Sequence, residues 1–147
     1  MRGIARTGAT ALMPYFLSSL ASSQAEIGQV GDALHSIGEA LTMVENTKQT
    51  WCEAEVHRIE GEVALLGSHR AVAKAQECFE RALSVARQQQ AKSWELRTAM
   101  SMARLWRDQG KQYEARELLA PVYGWFTEGF DTRDLKEAKA LLDDLAA

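Results

Sequence analysis

A helical stripe of small, large and small apolar residues occurs three times in this chain, as Ala33/Ile37/Ala40, Ala75/Phe79/Ala82 and Ala115/Leu119/Val122. The spacing i, i+4, i+7 places all three side chains on one face of a helix. The copies lie 42 and 40 residues apart. A fixed period of this size points to stacked helical hairpins, because one hairpin cannot bury its apolar face without a neighbour. The expected fold is all-α: a right-handed α-α superhelix of three hairpins with a C-terminal capping helix, about seven helices in a single domain over residues 1–147.

Composition agrees with this. Hydrophobic residues at 46% and charged residues at 25% are those of a globular chain rather than a disordered one. A net charge of −3 gives no reason to expect nucleic acid as a partner. Val, Ile, Thr and the aromatics show no sustained alternation that would build a sheet. No apolar stretch is long enough to span a membrane, so a cytoplasmic location is expected. Arg2 and Arg6, the apolar run from Ala9 to Leu20 and the small residues Ala21 to Ala25 imitate a secretory signal. Pro14 cuts that run, and Tyr15 to Gly28 serves equally as the first helix of the repeat.

The repeats are placed at residues 13–46, 50–90 and 93–126, with a C-terminal helix at 133–146. The first helix is expected to start near Met13 with Pro14 in its first turn, where a missing N–H costs nothing. Residues 1–9 are too short and polar for a hairpin partner and read as the tail of an earlier helix. The second helix spans Val30 to Val44, with a turn at Asn46-Thr47-Lys48. The third spans Thr50 to Leu66 with an apolar row of Val56, Ile59, Val63 and Leu66. Ser68 is the expected N-cap of a fourth helix reaching Gln89, and Ser93 that of a fifth ending at Gly110. The sixth runs from Gln112 to Phe126, bent or shortened by Pro121. The last, from Asp134 to Leu145, is capped by Asp131 or Thr132. It carries Leu135, Ala138, Leu142 and Leu145 on one face, as a terminal cap requires.

Little of this points to catalysis. Cys52 and Cys78 have no CxxC or Cys/His spacing and read as small buried side chains. His35, His57 and His69 lack any metal-binding context and read as helix-surface or helix-end residues. No catalytic residue, metal ligand or cofactor is expected. Trp94, Trp106 and Trp125 read as core and inter-repeat packing.

The paired pattern resembles the tetratricopeptide repeat. Ala103 and Trp106, Gly110, then Ala115, Leu119 and Val122 match its small residue and aromatic on the first helix and small–large–small stripe on the second. Ala21, Gly28, Ala33, Ile37 and Ala40 take those roles in the first repeat, and Gly61, Ala75, Phe79 and Ala82 in the second. The chain departs from the family in its period, which exceeds the roughly 34 residues usual there. It departs also in Gln24 and Ala64 standing where Trp106 does, in Glu60 at a usually aliphatic position, and in a longer loop before the second stripe.

A closer resemblance rests on Pro14-Tyr15-Phe16-Leu17, Trp51-Cys52-Glu53-Ala54-Glu55, Ala91 to Arg97, Arg104 to Lys111 and, most specific, Trp125-Phe126-Thr127-Glu128-Gly129-Phe130-Asp131-Thr132. These are similar to the C-terminal helical repeats of bacterial signalling proteins that join an adenylate or guanylate cyclase-like domain, or a DNA-binding domain, to a P-loop ATPase module. No phosphate loop or cyclase metal site is present in these residues.

The tetratricopeptide resemblance implies a binding groove on the first helix of each hairpin, at Tyr15, at Glu55, Arg58 and Glu62, and at Arg97, Arg104 and Arg107, with Ser18 beside Tyr15. The third repeat would then present a basic lining suited to acidic or C-terminal carboxylate groups, which an arginine fork grips with two bonds. Pairing with Glu95, Asp108 and Glu114 is the alternative use of those arginines. The expected function is a non-catalytic protein-interaction scaffold, the tail or a detached relative of such a signalling protein. The alternative is a sensor that binds a small metabolite between hairpins. A first hairpin with an uncapped apolar side further implies a homodimer or a packed N-terminal extension.

Overall fold

The computed structural model describes residues 10–48, 50–67 and 71–147, which form seven α-helices and no strand. They are α1 (Thr10–Glu26), α2 (Val30–Thr47), α3 (Glu53–Leu66), α4 (Val72–Gln88), α5 (Lys92–Asp108), α6 (Gln112–Trp125) and α7 (Arg133–Ala146). α1 packs on α2, α3 on α4 and α5 on α6, giving three hairpins. The first helices also touch in series, α1 on α3 and α3 on α5, while each second helix meets the next first helix, α2 on α3 and α4 on α5. α7 closes the series against both α5 and α6. First helices therefore share one side of the molecule.

Glycine turns close the first and third hairpins. Gly28 (φ 88°) and Gly110 (φ 81°) adopt the left-handed conformation that ends a helix without a Cβ penalty. Around them, Gln29 N–H donates to the Gln24 carbonyl and Lys111 N–H to that of Trp106, each at 2.8 Å. These bonds satisfy carbonyls that the helix end would leave free.

All three small–large–small stripes are buried. In the first hairpin Ala33, Ile37 and Ala40 share a cluster with Ala21, Ala25, Cys52, Val56, Ile59 and Val63. Ala75 and Phe79 meet Met102 and Leu105, and Ala115, Leu119 and Val122 pack with Leu96, Ala99, Met100, Ala103 and α7. The face of α7 that does this is Leu135, Ala138, Leu141 and Leu145, with Leu142 only partly covered. Leu66, the last member of the expected α3 row, is exposed.

Several boundaries differ from those the sequence suggests. α1 starts at Thr10, so Pro14 sits inside the helix rather than in its first turn. Its ring is buried, and only one short turn lies upstream for it to disturb. α6 continues past Pro121 to Trp125, with Pro121 exposed and its one lost backbone bond tolerated near the helix end. Ser93 lies within α5, whose N-cap is Ala91, and Thr132 caps α7 by position but without a side-chain hydrogen bond. Asn46 and Thr47 belong to α2, which ends at a left-handed Lys48. Ser68, His69, Arg2, Arg6 and the helix tail expected at residues 1–9 lie outside the described residues.

Two buried positions make opposite predictions. A Cβ on Gly61 would lie 2.5 Å from Phe79 Cε1 and 3.1 Å from the Ala75 carbonyl oxygen, and Phe79 is fully buried. Ala is the better helix former by about 1 kcal/mol, yet Gly61→Ala should lower stability by about 1–3 kcal/mol because α3 and α4 must separate. Thr98 is fully buried and its hydroxyl has no hydrogen-bond partner. Thr98→Val keeps the shape and removes the stranded group, so it should raise stability by about 1 kcal/mol. Urea unfolding of both variants measures the two signs.

Candidate functional site

The first helices and α7 enclose an open groove of about 770 Å³. α1 contributes Ser22, Ala25 and Glu26, α3 Arg58, Ile59, Glu62, Val63, Leu65 and Leu66, and α5 Arg97, Met100, Ser101, Arg104, Leu105, Arg107 and Asp108. Arg133, Asp134 and Glu137 of α7 complete the lining, and α2, α4 and α6 supply none of it.

Beneath the groove lies Glu55, 4% exposed, in the first turn of α3. The spacing of Glu55, Arg58 and Glu62 puts them on one helical stripe. Arg58 donates from Nε and Nη2 to the two Glu55 oxygens at 2.8 and 2.9 Å. Arg97, one hairpin later, donates from Nη1 to Glu55 at 3.0 Å and from Nε to Asp134 of α7 at 2.8 Å. The Arg97 guanidinium also lies 5.4 Å from the centre of the Trp94 ring. A chain of charge-assisted bonds thus links α3, α5 and α7. Arg58 Nη1 adds a bond to Ser101 Oγ at 3.1 Å, and that hydroxyl donates to Glu62 at 3.4 Å. Burial opposes both guanidinium charges, but bonds to Asp134 and Glu55 outweigh it at Arg97, and the bidentate Glu55 pair does so at Arg58. Both are held more firmly protonated than a free arginine.

The outer groove is held more loosely. Arg107 donates from Nη1 to Asp144 at 3.1 Å and from Nε to Asp108 at 3.4 Å. Arg104 has Glu137 as its ion-pair partner, at 3.9 Å, and is 39% exposed along its side chain. The five arginines of the lining are matched by five carboxylates, so the groove as a whole is balanced rather than basic. The arginines of the third hairpin look across to α7 instead of along α5 to Glu95, and Glu95 is taken by Arg87 and Lys92 at 3.2 and 3.1 Å.

Of the residues proposed from sequence, Arg58, Glu62, Arg97, Arg104 and Arg107 come together in the groove, and Glu55 lies under it. Tyr15 stands apart: its ring packs with Trp51 and Trp94 at centroid distances of 5.8 and 6.3 Å. Ser18 is buried and bonds to the Tyr15 carbonyl. The α7 carboxylates escaped sequence reasoning. Asp134, Glu137 and Asp144 share one side of a helix, as do Arg97, Arg104 and Arg107, and those two faces of opposite charge were the available signal.

Among the described residues the other reactive side chains form no second centre. Trp106 packs between hairpins, as expected, and its Nε1–H reaches Gln76 at 3.4 Å. Trp125 does not: it is 57% exposed, with Phe126 edge-on and the Lys92 ammonium 5.5 Å from its ring centre. His57 is buried rather than superficial, with ring nitrogens 3.5 Å from Glu53 and from Glu60. The hydrogen bond to His57, aided by the Lys74 charge, holds the Glu60 carboxyl below the usual range. Cys52 and Cys78 are free and buried, and burial pushes both thiols up to about 11, out of reach of nucleophilic chemistry near neutral pH. Among the described residues no group of three or more His, Cys, Asp or Glu is arranged to hold a metal ion, and no helix is long and apolar enough to cross a membrane.

The bridge makes a graded prediction. Glu55→Gln should lower unfolding free energy by about 2 kcal/mol, since it weakens bonds to two partly buried guanidinium groups. Asp134→Asn should cost less than about 1 kcal/mol, because this more exposed pair sits closer to water. Denaturant titration of both variants checks the ordering.

No protein-family model, curated protein or solved structure matches this chain.

Proposed function

We propose that this chain is a non-catalytic protein-interaction scaffold that holds an extended polypeptide segment along the groove of α1, α3, α5 and α7. The observation that carries this reading is the composition of that groove. The exposed Leu66 and the half-buried Leu65 supply apolar lining above the buried Ile59, Val63 and Met100, the half-buried Ser22 offers a small polar group, and charges of both signs line the remainder. Such a trough suits a peptide, which presents alternating polar backbone and apolar side chains, better than a uniformly charged ligand.

Within it, Arg104 is the cation best placed to receive a partner carboxylate. Its internal pair is the longest among those of the groove arginines, whereas Arg97 is gripped on two sides. The segment is accordingly acidic or ends in a free carboxylate near Arg104. The tetratricopeptide-like spacing supports the assignment of the first helices as the working face. The resemblance to the repeats that follow cyclase-like and P-loop ATPase modules supports a role in bacterial signalling, in the cytoplasm, as the tail or a detached relative of such a protein.

A second reading has one observation in its favour. A hollow of about 550 Å³ between the second and third hairpins is lined by Arg87, Gln90, Lys92, Glu95 and the exposed Trp125. Gln90 there adopts a left-handed φ of 54°, a conformation disfavoured for a residue with a Cβ. This is where a sensor would take a small anionic, flat metabolite.

Selection of peptides displayed with free C-termini tests the first reading. Binders are expected to lose at least about tenfold in affinity on Arg104→Ala, about 1.4 kcal/mol, and little on Arg87→Ala, which lies outside the groove. Equal binding by Arg104→Ala would overturn it. The sensor reading expects a metabolite that raises the melting temperature of the parent but not of Trp125→Ala.

A further inference from the structure

α1 carries apolar residues on two sides. One side, with Ala21 and Ala25, is buried against α2 and α3. The other leaves Leu12, Phe16 and Leu20 between 44% and 56% exposed. No charged side chain occurs from Thr10 to Ala25. At the opposite end of the molecule α7 shows water a charged outer face of Lys136, Lys139 and Asp143. A second apolar stripe of this kind on a helix marks a face that packs against a neighbour.

The repeat states what covers it. Aligning Ala21 with Gly61 and Ala103 sets Leu12 against Cys52 and Trp94, Phe16 against Val56 and Thr98, and Leu20 against Glu60 and Met102. Four of the six, Cys52, Val56, Thr98 and Met102, are buried, and three of those four pack with the second helix of the hairpin before. Cys52 and Val56 cluster with Ala33, Ile37 and Ala40 of α2, and Met102 with Ala75 and Phe79 of α4. Leu12, Phe16 and Leu20 thus stand where α3, at Cys52 and Val56, and α5, at Met102, meet the second helix of the preceding hairpin.

We propose that Leu12, Phe16 and Leu20 form a docking face for the second helix of another hairpin of this same kind, one that carries a small–large–small stripe. A second copy of this chain is a poor occupant, because its own three stripes are already buried and its far end is covered by α7. The inference rests on the hairpin register and is independent of what the groove binds.

The test uses the full chain and a tandem protein in which an added copy of residues 50–91, the second hairpin with its outgoing turn, precedes it. Leu20→Cys, at an exposed position, is introduced in both, and its rate of maleimide labelling is read. Docking predicts labelling at least about tenfold slower in the tandem protein, and Phe16→Asp in the full-chain part should restore the fast rate. Equal rates in the two proteins would overturn the proposal. So would slow labelling of the chain alone that speeds up on dilution, since that outcome assigns the face to a second copy.

Discussion

The carboxylate of Glu55 is the charge around which the groove is organised. It lies buried in the first turn of α3 and receives one guanidinium from its own helix and one from the next hairpin. Removing a carboxylate from water is unfavourable unless its oxygens are filled by donors, and here both are. Because Arg97 also reaches Asp134, the same ion fixes α5 relative to α3 and α7 relative to α5. The apolar stripes bring the helices together without strong direction. The bridge sets which polar groups face one another across the groove.

Close approach of the helices is the other constraint. Gly61 leaves no room for a methyl group beside Phe79, while Ala21 and Ala103, at equivalent positions, are wholly buried. Small residues on the first helices and one large residue on each second helix let the hairpins nest. This arrangement puts every first helix on the same side, so the groove follows directly from how the stripes pack.

Much of the architecture was legible because its signals are periodic. The stripes at Ala33, Ala75 and Ala115 gave the second helices, and Gly28 and Gly110 marked turns whose positive φ the structure shows. Caps were less legible: Ser93 looks like a cap, yet helix packing starts α5 at Lys92, and Pro14 is absorbed within α1. The groove arginines were found because they share a helical face, but their partners were not. Arg97 and Asp134 are 37 residues apart, and which carboxylate a long side chain selects depends on how α7 folds back. His57 and Trp125 show the same limit, since burial is a property of neighbours that local pattern does not contain.

The proposed working face consists of the first helices and α7. Hydrogen–deuterium exchange of the chain, alone and saturated with a selected peptide, measures this directly. Added protection concentrated in α1, α3, α5 and α7 is the predicted result; protection concentrated in α2, α4 and α6, with those four helices unchanged, would contradict it.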